Sequence, residues 1–436
     1  MTSIGTDAGG HERGDDLERA DRGAEESTLP TVPKGMPLRN AERTGWGVFD
    51  SDVTYPVAVI FESAIDHNSK TMMEFCARLG VSLAPHGKTT MSPALFRRQL
   101  RDGAWAMTAA TTWQAKAMRD VGVERVIIAN QVVVPAEIGW LADADADGFD
   151  VCCYVDSVAG VGILDEVFAR LRPGRRFPVL LELGIAGGRT GARDVAGALA
   201  VADAVARSQG LTLIGVAGFE GILGAVDDRG AADVVIEFVD QIVELANAVN
   251  AAGWFDSTRE VIVTAGGSAY FDHVVDRLSR IDLKRPTRIV VRAGCYLTHD
   301  DGAMHEVSPM GEHPRTDGGA QLLPALEVWG AVLSRPEPTR AIIGLGKRDV
   351  STDGLLPVVK KLRRRGSTTI ERIEPLPVVQ VNDQHAYLDL DPSYPLAVGD
   401  LVGVGISHPC TTFDKWRAIA VVDDDYRVIE ISETLF

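Results

Sequence analysis

The stretch VSLAPHGKTTMSPALFRRQL, residues 81–100, contains the structural unit that decides the fold. A short apolar run ends in the polar residues His86 and Lys88. Ser92-Pro93 then has the pattern of a helix start, with a capping residue before a proline in the first turn. The same alternation of an apolar run and a helical stretch recurs along the chain. The predicted strands begin at Val81, Trp105, Arg125, Asp150, Phe177, Leu211, Glu260 and Thr287.

Repeated strand–helix units of this kind predict a parallel sheet. Eight units over roughly 220 residues are typical of a (β/α)8 TIM-like barrel. A doubly wound open sheet is the alternative, because the number of strands does not establish that the sheet closes. After about Thr298 the helical pattern fades, and short alternating runs such as DLVGVGI (400–406) predict hairpins. We therefore predict an α/β barrel followed by a C-terminal β-rich domain.

Composition shifts divide the chain into four segments. Residues 1–35 are rich in Gly, Asp, Glu and Arg, which predicts a disordered tail. Residues 36–66 form an entry segment that we expect to pack on the C-terminal domain, and it includes the apolar run PVAVIFES (56–63). A helical pattern follows over 69–79. The barrel is predicted over residues 67–310 and the β domain over residues 311–436.

The bulk properties limit the classes of partner. The 436 residues carry a formal net charge of −17, which argues against a broad nucleic-acid or membrane surface. No apolar run is long enough to span a membrane, and the first residues lack the apolar core of a signal peptide. Five scattered cysteines fit a reducing compartment. We expect a cytoplasmic protein that acts on a small molecule.

Polar residues and glycines lie at the predicted C-terminal ends of the barrel strands, where barrel enzymes place their chemistry. In chain order these are His86 and Lys88, Thr108 and Thr111, Asn130 and Gln131, Asp156, Arg189, Glu220, Gly266-Gly267-Ser268, and Gly294 with Tyr296. The last two turns suit an anion, because glycine lets backbone N–H groups approach it closely. They predict a phosphate site, with two ordinary tight turns as the alternative.

Lys88 follows an apolar strand directly. A lysine at this position is poorly explained as a solvent-exposed surface charge. Partial burial in a barrel mouth would lower the pKa of its amine, and a neutral amine forms an imine with an aldehyde. The alternative is a mouth lysine paired with Asp156 or Glu220.

His408 and Cys410 are separated by one residue, beside a predicted strand in which alternate residues share a face. Imidazole and thiolate together suit zinc. His385 is a candidate neighbour in the sequence NDQHAY. The alternative is a buried cysteine beside a turn histidine.

Several motifs occur together in a defined order: PHGKT (85–89), ATTWQAKAMRDVGVERVIIANQVV (110–133), GGRTGAR (187–193), TAGGS (264–268), RAGCY (292–296) and SHPCTTFDKW (407–416). On these motifs the chain resembles the fold-type III pyridoxal-phosphate family, in the branch of D-threonine aldolase and D-serine dehydratase. The resemblance covers about residues 53–436. It implies an alanine racemase-like barrel, a C-terminal β domain and a homodimer.

The resemblance assigns roles to individual residues. It implies that Lys88 binds pyridoxal 5'-phosphate covalently and that Arg189 contacts the cofactor ring. The phosphate of the cofactor would lie at Gly266, Gly267 and Ser268, with contributions from Gly294 and Tyr296. His408 and Cys410 would bind a divalent metal, and the cysteine form resembles the dehydratase branch and favours zinc.

Two positions depart from the family pattern. Thr90 and Met91 follow the Lys-Thr pair, where many relatives have a histidine, and Phe219-Glu220 stands where relatives have a tyrosine–histidine pair. We hypothesise that Glu220 approaches the ring nitrogen and keeps it protonated. The alternative is a salt-bridge role for Glu220.

The predicted function is dehydration of a D-3-hydroxyamino acid of the D-serine type to a 2-oxo acid and ammonia. Lys88 would remove the α-proton, and the metal would act as a Lewis acid on the β-hydroxyl. One alternative is retro-aldol cleavage to glycine and an aldehyde, and another is racemisation. A third alternative, of a different class, is a non-catalytic pyridoxal-phosphate-binding protein.

Overall fold

The first strand of the described chain belongs to the sheet of the C-terminal domain. The structure is a computed structural model in which residues 33–37, 44–223 and 231–436 are described, so the tail predicted over 1–35 lies outside them except for 33–35. Strand β1 (Val57–Phe61) pairs antiparallel with β10 (Leu326–Glu337) and parallel with β16 (Ala418–Val422). The entry segment thus adds a central strand to a sheet built mostly from the end of the chain.

Helix α1 (Glu62–Leu79) leads from that sheet into the barrel and begins earlier than the predicted start at Ser69. The additional turns contain Asn68, whose polar side chain interrupts the apolar pattern. Asn68 is buried and its amide nitrogen donates to Leu297 O at 2.9 Å and Leu323 O at 2.7 Å. Tertiary hydrogen bonds therefore stabilise a helical turn that periodicity did not indicate.

The eight predicted barrel strands are all present, and they form one parallel sheet. They are β2 (Ser82–Leu83), β3 (Met107–Ala109), β4 (Arg125–Gln131), β5 (Asp150–Val155), β6 (Phe177–Leu183), β7 (Leu211–Gly218), β8 (Val261–Ala265) and β9 (Thr287–Val291). β2 pairs with β9 on one side. On its other side Trp105 N donates to Leu83 O, and Thr108 N donates to Pro85 O, each at 2.8 Å. The sheet closes, so the barrel is confirmed and the open doubly wound sheet is excluded.

Helices surround the barrel and pack their apolar faces against it. They are α2 (Pro93–Arg101), α3 (Thr112–Asp120), α4 (Pro135–Ala146), α5 (Val158–Leu171), α6 (Val195–Arg207), α7 (Ala231–Ala251) and α8 (Phe271–Leu278), followed by the short α9 (Ala303–Val307). α2 begins with Pro93 after Ser92, and Thr111 caps α3 by accepting from Gln114 N at 3.2 Å. Within the described ranges, no helix combines the length and the apolar character needed to cross a membrane.

The C-terminal domain is an antiparallel barrel with an extension. Its further elements are β11 (Arg340–Ile343), β12 (Val358–Arg363), β13 (Glu371–Val381), β14 (Ala386–Asp389), β15 (Leu401–Gly405), α10 (Cys410–Phe413) and β17 (Val428–Glu433). The order β10-β11-β14-β13-β12-β15 returns to β10 and closes, and β1, β16 and β17 extend the sheet beyond β10. The core includes Trp329, which is packed edge-on against Phe49 and Tyr426.

The two domains meet at the carboxyl ends of the barrel strands. Asp301 N, in the segment after β9, donates to Ile406 O at 2.9 Å. A side chain at Gly302 would lie 2.8 Å from Ser407 Cα, so the two backbones are in direct contact. This junction holds the loop that carries His408 and Cys410 against the barrel mouth.

Candidate active site

Lys88 lies in the first turn after barrel strand β2. Residues Gly87–Thr89 form a single 3-10 turn, and the lysine is half-buried. The two carboxylates considered as partners are engaged elsewhere: Asp156 Oδ2 accepts from Gly191 N at 2.9 Å, and Glu220 accepts from two backbone amides. In the described part of the chain Lys88 forms no ion pair. Its position is therefore not explained by a salt bridge.

The Lys88 turn packs directly against the turn after strand β9. A Cβ at Gly294 would lie 2.6 Å from Thr89 Oγ1 and 2.8 Å from His86 O, closer than any side chain tolerates. Glycine is required here because the two backbones touch. Cys295 N also donates to Ser268 Oγ at 3.2 Å. The lysine turn and the two predicted phosphate turns thus form one continuous surface at the barrel mouth.

The glycine turn after β8 has the geometry of an anion site. Gly266 has φ +93, a left-handed conformation that favours glycine. Its amide donates to Glu220 Oε2 at 3.0 Å, and the Gly267 amide donates to Glu220 Oε1 at 2.6 Å. Glu220 is fully buried and is the anion held by this turn. The phosphate contact of Gly266 and Gly267 stays a prediction, and it requires Glu220 to release these two amides.

This arrangement also changes the interpretation of Glu220. Among the described residues its carboxylate has no cationic partner, which excludes the salt-bridge alternative there. Both oxygens accept from the glycine turn. The contact with a ring nitrogen stays a prediction, and it would have to use lone pairs that the turn leaves open.

We expect Glu220→Gln to destabilise the cofactor-free protein by about 1–3 kcal/mol. A carboxamide has one acceptor oxygen, so its NH2 group would face a buried backbone N–H of the turn. Urea unfolding of the variant and of Glu237→Gln, an exposed position on α7, gives the comparison. If the two variants agree within about 0.5 kcal/mol, the carboxylate does not stabilise the turn.

Three cations converge around His86. Burial lowers the pKa of His86 well below its usual value, and the charges of Lys88, Arg292 and, more weakly, Arg189 act in the same direction. Arg292 is buried and donates to Thr264 Oγ1 at 2.5 Å and to Gly218 O at 2.7 Å. None of the three cations forms a salt bridge with a described carboxylate. Cations that lack a salt-bridge partner among the described residues suit an anionic ligand, even in a chain of net charge −17.

Arg189 is the exposed member of this group. Its guanidinium lies 4.4 Å from the centroid of the Phe219 ring, in a cation–π contact. Phe219 also lies beneath the glycine turn, since a Cβ at Gly267 would be 2.8 Å from its Cε2. Phe219 therefore contacts both Arg189 and the glycine turn. The contact of Arg189 with a cofactor ring stays a prediction.

Buried polar atoms at the mouth have unsatisfied hydrogen-bonding capacity. Within the described ranges, His86 Nδ1, Gln131 Oε1 and the Tyr154 hydroxyl have no hydrogen-bond partner. Buried polar groups in native proteins are nearly always bonded, so these atoms fit a polar ligand. Together with the three cations, they make the residues of this mouth compatible with pyridoxal phosphate.

Tyr296 has a different environment from the other predicted cofactor residues. It is buried in the core between the domains, and its hydroxyl accepts from Gln99 Nε2 of helix α2 at 3.3 Å. Burial raises the pKa of this phenol. The hydroxyl is engaged by the helix layer, and its contribution to the cofactor site stays a prediction.

The predicted metal pair lies beside the lysine turn and has a third member. Candidate ligand atoms of Cys295, His408 and Cys410 all lie within 4.8 Å of one another. The two sulfurs are 3.7 Å apart, and Cys410 Sγ is 3.3 Å from Thr89 Oγ1. His385, the neighbour suggested by the sequence, was a wrong choice, because it is exposed in the hairpin between β13 and β14 and is outside this group.

The cluster favours thiolate at Cys410. Hydrogen bonding from the Cys295 thiol lowers the pKa of Cys410 well below its usual value, and His408 acts in the same direction. The same sulfur–sulfur contact raises the pKa of Cys295. Hydrogen bonding to Cys410, followed by contact with Asp353, raises the pKa of His408 to about 9. A thiolate, together with an imidazole that releases its proton when the ion binds, forms the ligand pair that zinc prefers.

Asp353 orients the imidazole. Its Oδ2 lies 2.8 Å from His408 Nδ1, and Thr411 Oγ1 donates to its Oδ1 at 2.8 Å. Partial burial alone would raise the pKa of Asp353, but hydrogen bonds from Ser351, Thr411 and His408 lower it to about 2. A carboxylate on Nδ1 leaves Nε2 for a metal and fixes the ring tautomer.

We expect Asp353→Asn to weaken zinc binding about 10–100-fold, because outer carboxylates of this kind orient the ligand and raise its basicity. Competition with a chromophoric chelator measures the zinc dissociation constant. Asp383→Asn, at an exposed carboxylate of the same domain, is the matched control. Equal zinc affinity in the two variants would show that Asp353 does not orient a zinc ligand.

The structure brings most predicted residues to one mouth and adds several that the sequence did not indicate. The additions are Arg292, Cys295, Tyr154, Asp353 and Glu182, of which Glu182 Oε2 accepts from Gln131 Nε2 at 2.7 Å. Arg292 and Cys295 lie inside the motif RAGCY, but their side-chain directions depend on where strand β9 ends. Asp353 lies 55 residues from His408, too far for any spacing rule.

Comparison with known proteins supports the same interpretation. Residues 325–422 match the family model for a putative serine dehydratase domain. The chain is 25% identical over 322 residues to 3-hydroxy-D-aspartate aldolase of Paracoccus denitrificans, covering 72% of this chain and 77% of that protein. It is 25% identical over 383 residues to D-threonine aldolase of an Arthrobacter species, covering 85% of this chain and 90% of that protein.

The predicted resemblance is confirmed. It is a resemblance to the D-threonine aldolase and D-serine dehydratase branch of the fold-type III pyridoxal-phosphate enzymes. D-threonine aldolase from Filomicrobium marinum aligns with a TM-score of 0.72 at 23% identity, covering 91% of this chain and 98% of that one. D-threo-3-hydroxyaspartate dehydratase from Delftia aligns with a TM-score of 0.68 at 22% identity, covering 88% and 97%. These neighbours, with others that are alanine racemase-like, establish the fold class.

Proposed function

We propose that this chain is a pyridoxal-phosphate-dependent lyase that dehydrates a D-3-hydroxyamino acid of the D-serine type, releasing a 2-oxo acid and ammonia. One observation carries the proposal: Thr89, the neighbour of Lys88, is 3.3 Å from Cys410 Sγ. This contact brings the turn that carries Lys88 next to Cys410, which supports a single site for the amine and the proposed metal pair. Elimination needs this combination, because a proton leaves one carbon of the substrate while a hydroxyl leaves the next.

The residues of the mouth would hold the cofactor by complementary charge. Lys88 supplies the amine for the covalent link, and Arg189 and Arg292 supply positive charge. Ser268 and Gly294 lie on the adjoining turns. Bound pyridoxal phosphate supplies an electron sink for the carbanion formed at Cα. Lys88 would also be the base that takes the α-proton.

The metal residues act on the leaving group. Hydroxide is a poor leaving group, so charge develops on the β-oxygen as the bond breaks. A divalent ion held by His408 and Cys410 supplies Lewis acidity at that point. A thiolate at the second position, in place of a harder carboxylate, favours zinc. Cys410 lies within the part of the chain that matches the putative serine dehydratase domain.

Retro-aldol cleavage is the second candidate function. Two relatives that are 25% identical to this chain are named as aldolases of 3-hydroxy-D-aspartate and D-threonine. The same lysine and metal would serve that reaction, with the hydroxyl losing its proton and the Cα–Cβ bond breaking. Both of these relatives are named as aldolases, which are lyases, and this argues against a non-catalytic cofactor-binding protein.

Product analysis tests the proposal. Purified protein is incubated with D- and L-serine, both stereoisomeric series of threonine and 3-hydroxyaspartate, with and without a chelator. We expect a 2-oxo acid and ammonia from a D-substrate, and much less of both after chelation. Glycine plus an aldehyde would establish the aldolase instead. Conversion of D- to L-amino acid alone would establish a racemase.

Homodimeric assembly is also proposed, on the resemblance alone. Light scattering during size-exclusion chromatography tests it, with an expected mass of twice that of the chain. A single-chain mass at micromolar concentration would contradict it.

A further inference from the structure

The group of candidate metal ligands contains one more thiol than the His-x-Cys pair provides. Cys295 comes from the turn after barrel strand β9, whereas His408 and Cys410 come from the C-terminal domain. The three candidate ligand atoms lie within 4.8 Å of one another. The site is therefore assembled across the junction of the two domains.

The separation of the two sulfurs is compatible with a shared ion. Two thiolates bound to one tetrahedral zinc at about 2.3 Å each are about 3.8 Å apart. The observed distance between Cys295 Sγ and Cys410 Sγ is 3.7 Å. A disulfide would need about 2.05 Å, so the sulfurs would have to move together to form one. The observed spacing fits a shared ion without rearrangement.

The surroundings of the cluster are those of metal ligands. Asp353 lies on Nδ1 of His408 and leaves Nε2 for coordination. Thr89 Oγ1 is within 3.3 Å of Cys410 Sγ. The backbone of Cys295 is fixed by its amide donating to Ser268 Oγ. The side chains of His408 and Cys410 and the backbone of Cys295 are therefore each positioned by a hydrogen bond.

We propose that Cys295 is a third protein ligand, so that Cys295, His408 and Cys410 bind one zinc ion and leave one tetrahedral position open. This inference rests on the proposed function only in its need for a metal at His408 and Cys410. Three protein ligands with an open position are the pattern of catalytic zinc sites. Two thiolates also exclude hard ions such as Mg²⁺ and Mn²⁺ more strongly than one does. The open position would be available to a substrate hydroxyl.

Zinc-edge X-ray absorption of the zinc-loaded holoenzyme counts the sulfur ligands. We expect two sulfurs at about 2.3 Å in the wild type and one in Cys295→Ser, with lighter ligands at about 2.0–2.1 Å. Cys410→Ser should likewise retain one sulfur. Cys76→Ser replaces a buried thiol on helix α1, outside the cluster, and should retain two.

Zinc affinity supplies the second readout. Competition with a chromophoric chelator, in the presence of a reductant, should show zinc binding weakened at least about tenfold by Cys295→Ser. Cys295→Ala repeats the measurement without a hydroxyl that could replace the thiolate. Circular dichroism of the metal-free variants confirms that each is folded.

Several outcomes would overturn the inference. It is overturned by any of three results: a single zinc-bound sulfur in the wild type, unchanged zinc affinity in both Cys295 variants, or a Cys295–Cys410 disulfide that persists under reductant. These failures differ from failure of the proposed function. If the wild-type protein has two zinc-bound sulfurs but produces no 2-oxo acid, Cys295 remains a ligand and the dehydratase assignment is rejected.

Discussion

Lys88→Ala should lose both the visible absorbance of a covalently bound cofactor and at least about 10³-fold of the turnover. The lysine has two tasks, the covalent link and the movement of the α-proton, and alanine does neither. Absorbance spectra and steady-state rates on the D-hydroxyamino acid that gives product are the measurements. Lys116→Ala, at an exposed lysine paired with Asp120 on α3, is the matched control.

Lys88→Arg separates this explanation from a purely electrostatic one. Arginine keeps the positive charge at the mouth, but its guanidinium does not deprotonate and forms no imine. We expect this variant to be as inactive as Lys88→Ala. Turnover within about tenfold of wild type in Lys88→Arg would show that only the charge matters, and it would refute the catalytic assignment.

The barrel itself was predictable because its signal is local. Each strand is a short apolar run that ends in a polar residue or glycine, and the strands at Arg125, Asp150, Phe177, Leu211 and Thr287 begin where expected. Closure was not predictable from this pattern. It depends on hydrogen bonds such as Thr108 N to Pro85 O, and these join strands whose pairing is a tertiary property.

The candidate site was predictable only where its residues are neighbours in sequence. His408 and Cys410 are two residues apart, whereas Cys295 is 115 residues from Cys410. His385 was proposed because it is close in sequence, yet a hairpin carries it to the surface. Glu220 illustrates a further limit, because its role depends on two backbone amides 46 and 47 residues away. Contacts of this kind appear only when the chain is folded.

His408→Ala should leave the cofactor absorbance intact and lower turnover on a hydroxyamino acid about 10²–10³-fold. Loss of one group that stabilises developing oxyanion charge has an effect of this size. Chelation should lower the turnover of the wild type to that of the variant. It should not lower the turnover of the variant further, because the chelator and the substitution remove the same interaction. His385→Asn, at the exposed hairpin histidine, should behave as wild type in every measurement.

The leaving group gives this prediction its sharpest test. β-Chloro-D-alanine loses chloride, which departs without a Lewis acid, so its elimination needs the base but not the metal. We expect His408→Ala to retain most of its activity on this substrate while losing it on the hydroxyamino acid, and Lys88→Ala to lose both. Equal losses of His408→Ala on the two substrates would show that the cluster stabilises the fold or the cofactor and has no part in departure of the hydroxyl. The assignment of proton removal to the Lys88 amine and of hydroxyl departure to a metal at His408 and Cys410 would then be wrong, even if the product is a 2-oxo acid.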